Sequence, residues 1–132
     1  MTKIIDGKGM VLGRLAMKVA KESLRGESIV ILNCGDVIVT GNRKDISEKF
    51  EMKRSKVGSG QKGPKHSRVS EKIVKRAIRG MIPNHRRGRG KEAFKRIRCY
   101  EGVPKEFESA KKEEFKTGSK RKFITVKEIY KK

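Results

Sequence analysis

Apolar residues along this chain switch between two spacings, and the switching predicts the order of elements. Lys3 to Asp6 holds a short apolar run, and Gly7-Lys8-Gly9 follows it as a turn. Leu12, Leu15, Ala16, Val19, Ala20 and Leu24 then recur at helical spacing, with Gly26 placed where a helix ends in a left-handed glycine. Ser28-Ile29-Val30-Ile31-Leu32 is β-branched and apolar without alternation, as a strand covered on both faces should be. Strand, helix, strand is a right-handed βαβ unit.

Asn33-Cys34-Gly35-Asp36 reads as a turn, Val37-Ile38-Val39 as a third strand, and Thr40-Gly41-Asn42 as a second turn. A Lys-rich helix is predicted from about Asp45 to Arg54, then a basic exposed loop from Ser55 to Arg68. Ser70, followed by Glu71, is placed to cap a helix that runs to about Gly80 and is closed by Pro83. Ile73, Val74, Ala77, Ile78 and Met81 fall on one of its faces, and Lys72, Lys75, Arg76 and Arg79 on the other. Residues 84 to 91 read as a flexible cationic segment leading into a short helix with Ala93, Phe94 and Ile97 turned inward. Arg98-Cys99-Tyr100 is predicted as the last strand of the sheet. Beyond Pro104 the chain turns polar, with Phe107 and Phe115 as isolated anchors. A basic run at Lys120-Arg121-Lys122 leads to a short apolar strand at Phe123-Ile124-Thr125-Val126.

Charge turns this outline toward a partner. The 132 residues suit one domain, and 36 Lys plus Arg against 15 Asp plus Glu leave a formal charge of +21. So much like charge opposes compaction unless a polyanion neutralises it, and nucleic acid does so with release of its own counterions. A membrane is the competing polyanion, but no stretch approaches the length of a spanning helix, and the first residues lack the apolar core of a secretion signal. Double-stranded RNA is met through phosphates, 2′-hydroxyls and shape, which asks for reach and charge more than for a pocket. The Gly-interleaved basic segments 54 to 68, 84 to 91 and 119 to 122 have both. Aromatics make up only 5% and Trp is absent, which speaks against a surface that stacks single-stranded bases.

Other chemistry is thinly represented. Cys34 and Cys99 lack the paired short spacing of a zinc knuckle and read as reduced, buried thiols. Gly7, Gly9 and Gly13 sit where a dinucleotide loop would, but as G-x-G-x-x-x-G, and no ribose-binding acid ends the second strand; a structural turn is the favoured reading. His66 and His85 lie among cations with no carboxylate or nucleophile nearby in sequence, so contact with RNA or water is expected of them. Asp6, Asp36 and Asp45 are isolated acids.

Three stretches carry a family resemblance. They are Leu12-Gly13-Arg14-Leu15-Ala16 with Val19-Ala20-Lys21; Gly63-Pro64 with Arg68; and Arg76-Ala77-Ile78-Arg79-Gly80-Met81-Ile82-Pro83, continuing through Arg87-Gly88 into Ala93 to Pro104. Together they resemble the ribosomal large-subunit protein thirteen family (universal L-thirteen) in its archaeal and eukaryotic form, over about residues 3 to 104 and more loosely at Arg121-Lys122-Phe123. The tryptophan-containing start and His-rich segment of the bacterial form are missing. Ser70 stands where this branch often has Pro, and Ile82 where it usually has Leu. The resemblance implies a three-layer α/β/α domain with a small, largely parallel sheet and basic loop extensions, embedded in large-subunit ribosomal RNA and joining early assembly intermediates.

The expectation is therefore one domain over 1–132, with a core at about 3–104 and a basic extension at about 105–132. Its role is that of a non-catalytic constituent of the cytoplasmic ribosome, without cofactor, metal, membrane or small-molecule substrate. Its partners are large-subunit ribosomal RNA and neighbouring ribosomal proteins. Candidate RNA-binding residues are Arg14, Arg54, Lys56, Lys62, Lys65, Arg68, Arg76 and Arg79, then Arg86, Arg87, Arg89, Lys91, Arg96, Lys120, Arg121 and Lys122. The rival readings are a basic RNA-binding regulator outside the ribosome and a nucleotide-dependent enzyme using the Gly7–Gly13 loop.

Overall fold

The β-branched run predicted to be covered on both faces is the middle strand of a parallel sheet. The computed structural model describes residues 2–56, 58–61, 66–109, 112 and 122–129. In it, β1 (Thr2–Asp6), β2 (Ser28–Leu32) and β4 (Ile97–Cys99) are ordered β1-β2-β4, all parallel, with Ile5 opposite Ile31 and Ile29 opposite Ile97. Ile29, Val30, Ile31 and Leu32 are all buried. The chain is thus an α/β protein with a small, mostly parallel sheet, as expected.

Helix α1 (Leu12–Leu24) makes the crossover from β1 to β2, and its predicted face is the buried one: Leu15, Ala16, Val19 and Ala20. They share one core with Ile5, Ile29, Ile31 and Ile97 of the sheet and with Ile73, Val74 and Ile78 of α3 (Ser70–Met81). Each such buried side chain stabilises the fold by roughly 1.5–3 kcal/mol. Gly26 adopts φ 100° and donates its N–H to the Ser23 carbonyl at 3.1 Å, so it closes α1 as predicted.

Several predicted elements are displaced. The third strand, β3 (Ile38–Thr40), stays outside the parallel sheet and pairs antiparallel with β5 (Phe123–Thr125), with one isolated parallel bridge from Ile38 to Val11 at the start of α1. A 3-10 turn at Cys34–Asp36, entered through Asn33 at φ 55°, redirects the chain between β2 and β3. The C-terminal strand is thereby part of the fold, and Ile124, Val126 and Ile129 are buried in the same core.

Ser70 is not the cap predicted for α3: it is buried inside the first turn, while Val69 occupies the capping position and makes no side-chain capping bond. The Ser67 hydroxyl instead accepts the Val69 N–H at 3.1 Å. Met81 is also exposed rather than inward. Helix α4 (Gly88–Lys95) starts inside the segment predicted to be flexible, and Ile97 belongs to β4 rather than to that helix.

Candidate nucleic-acid interface

Two helices carry cations that the core does not need. α2 (Arg43–Ser55) buries only Ile46, with Phe50 half-buried, and leaves Arg43, Lys44, Lys49, Lys53 and Arg54 exposed. α3 is fully amphipathic: Ile73, Val74 and Ile78 are buried, whereas Lys72 is exposed and Lys75, Arg76 and Arg79 are half-buried on the other side. The 3.6-residue period separates packing from charge, so one helix can dock and present cations at once. Lys75 lies with its ammonium 5.0 Å from the centre of the Phe94 ring, a cation–π contact that ties α3 to α4.

His66 marks where the two cationic faces meet. Its imidazole is held below its ordinary pKa, first by loss of hydration and then by Arg76, Lys53, Arg79 and Lys56, so the neutral ring is favoured. Lys53 and Lys56 come from the α2 side and Arg76 and Arg79 from α3, which tertiary structure therefore gathers around one point. Between them lies a cleft of about 270 Å³. Leu12, Phe50, Ile73 and Ala77 form its apolar wall, and Lys53, Lys72, Arg76, His66 and Ser67 its polar margin.

The remaining candidates divide. Arg14, Arg54, Lys56, Arg68, Arg86, Arg87, Lys91 and Lys122 are exposed. Arg86 and Arg87 have no side-chain partner among the described residues. Arg89, though exposed, and half-buried Arg96 both bond to backbone carbonyls of α1. Arg89 donates to the Leu24 carbonyl through Nε at 3.3 Å and Nη2 at 3.0 Å, and Arg96 donates to the Ser23 carbonyl at 2.9 Å. Both guanidiniums thus neutralise the carbonyl end of α1, where a helix has unsatisfied acceptors and partial negative charge. Lys62, Lys65, Lys120 and Arg121, with Phe115, lie outside the described residues.

Phe50 and Lys53 are lining residues that helical spacing alone does not single out, although an aromatic three positions from a lysine in a Lys-rich helix is a visible signal. The glycine loop is a packing device. The Gly7 N–H donates to the Leu32 carbonyl at 2.8 Å and that of Gly9 to the Asp36 carbonyl at 3.2 Å, so neither is turned to a phosphate. A Cβ at Gly7 would come within 2.9 Å of Val37 Cγ2.

Cys34 and Cys99 are distant in sequence but adjacent in space. The Cys99 side chain beside it and then burial raise the Cys34 thiol far above its ordinary pKa, so it stays neutral and donates to the Ile31 carbonyl at 3.7 Å. Among the described residues, no cluster of three or more His, Cys, Asp or Glu is arranged to hold a metal ion, and no helix is long and apolar enough to cross a membrane.

The fold and this surface define a small α/β scaffold whose cations face outward from a closed apolar core. Residues 1–106 match the family model described as Ribosomal protein L13, and the chain belongs to that family. It is 41% identical over 131 residues to the large ribosomal subunit protein uL13 of Methanocaldococcus jannaschii, covering 97% of this chain and 94% of that protein. It is 36% identical over 132 residues to uL13 of Archaeoglobus fulgidus, covering 96% and 83%. With uL13 of Thermoplasma volcanium it shares 43% identity over 109 residues, covering 83% and 79%.

Proposed function

We propose that this chain is a structural, non-catalytic constituent of the large ribosomal subunit in the cytoplasm. It binds ribosomal RNA through the cations of α2, α3 and the Arg86–Arg87 loop, contacts neighbouring ribosomal proteins, and acts early in subunit assembly. The observation that carries this reading is the match to archaeal uL13 proteins along nearly the whole chain, in a sequence of formal charge +21. The physical reason is that a charge of this size is tolerated beside a structured polyphosphate, with counterion release making the contact favourable. The α/β core serves to hold the cationic faces at fixed separation, and residues 105–132 extend the same single domain.

Sedimentation tests the reading. The full chain should travel with large subunits through moderate salt, and the double variant Arg86→Ala, Arg87→Ala should be incorporated less well while unfolding at the same temperature. A chain that washes off at moderate salt, as a loosely held RNA-binding regulator would, rejects the ribosomal assignment.

A further inference from the structure

The cleft between α2 and α3 is more than a gap between charged helices. Its wall is apolar, from Leu12, Phe50 and Ala77, while α2 contributes Lys53, its ammonium 5.8 Å from the Phe50 ring centre, and α3 contributes Lys72 and Arg76. Among the described residues, no carboxylate lines it. Another hollow on α3, beside β4, has Glu71 in its lining and so is less suited to a polyanion. Cations at the margin of an apolar slot, Lys53 from α2 and Lys72 and Arg76 from α3, match a nucleotide within a strand: a flat, mostly apolar base with a charged phosphate on either side. A paired base cannot enter, because its faces are stacked and its edges lie within the helix.

The margin also has the groups to hold a base edge. The neutral imidazole of His66 offers one donor and one acceptor, and loss of hydration, then its cationic neighbours, favour that neutral state. The Ser67 hydroxyl already accepts the Val69 N–H, which leaves its own hydrogen to donate.

We infer that this cleft receives a single unstacked nucleotide of the bound RNA, its base against Phe50, Leu12 and Ala77 and its flanking phosphates on Lys53, Lys72 and Arg76. The inference rests on the RNA-binding reading above. It makes α2 and α3 a clamp that recognises a bulged or looped nucleotide, in addition to a surface that follows the backbone.

Gly80 provides the test, because it lines the cleft, has open space where a Cβ would stand, and lies in a helix that a leucine would favour over glycine. Gly80→Leu narrows the slot without removing any cation, and Ala77→Phe fills it from the wall. Large subunits carrying each variant as their sole copy of the chain would be compared with wild type by base-specific chemical probing of the RNA. One unpaired nucleotide should be shielded in wild type and become roughly fivefold or more reactive in both variants, the low end of a base–aromatic contact. Incorporation with identical reactivity everywhere overturns the cleft inference and leaves RNA binding standing. A wild-type chain that never enters large subunits overturns both.

Discussion

Arg86 and Arg87 differ from Arg89 and Arg96 in what surrounds them, although all four lie in one basic stretch of the sequence. The first two stand in the loop before α4 and meet no side-chain partner among the described residues. The second two turn back across the molecule and close the carbonyl end of α1 at Leu24 and Ser23. A run of like charge is therefore not one structural unit. Some arginines in it bond back to α1 and others stand clear of side-chain partners among the described residues, and mutations should test whether the two pairs differ in role.

The largest effect is expected at Gly90, which holds α4 against the preceding loop. A Cβ there would collide with the Pro83 carbonyl and come within 2.6 Å of the Asn84 carbonyl, both backbone atoms that cannot swing aside. Gly90→Ala should lower stability by about 3 kcal/mol or more in urea denaturation and release both Arg89 and Arg96 from α1. Next, the Arg86→Ala, Arg87→Ala pair should weaken association with large subunits by about tenfold or more, with a shallower salt dependence and no change in stability.

Arg96→Ala should do the reverse. Loss of its half-buried bond to Ser23 is expected to lower stability by about 1 kcal/mol while leaving RNA association nearly intact, and the more exposed Arg89→Ala should cost a few tenths. Equal stability losses from Arg87→Ala and Arg96→Ala would erase the distinction between the pairs.

The smallest effect concerns His66. Its folded pKa lies below the ordinary value of 6.5, so above that value both folded and unfolded chains are neutral there and the group contributes nothing to pH dependence. As pH falls through 6.5 the unfolded chain takes up a proton that the folded chain resists, and stability declines. Denaturation midpoints on either side of this value should show the slope in wild type and a shallower one in His66→Gln. A proton titration of His66 by NMR with a midpoint at or above 6.5 would contradict the assignment.

The elements that follow from local pattern were legible: the β1-α1-β2 unit, the apolar faces of α1 and α3, and the glycine closing α1. Each depends on residue spacing within one element, and spacing is a property of sequence. The pairing of β3 was not legible. Its partner, β5, is more than eighty residues further along, and no short-range signal distinguishes that partner from the neighbouring edge of the parallel sheet. The one-residue shift of β4 and the capping position taken by Val69 rather than Ser70 have similar causes, since packing of Ile97 beside Ile29 and burial of Ser70 override the local preference.

By itself, then, the sequence determined the alternation of strands and helices, the composition of the core faces, and a charge that calls for a polyanion, because periodicity and net charge are sums over residues regardless of their placement. Only the tertiary structure decided which cations are spent on the carbonyl end of α1 and which converge with His66 and Phe50 on one cleft. Those outcomes depend on distances between residues far apart in the chain, set by how α1, α3 and α4 pack on the sheet and by where α2 meets α3 at the cleft.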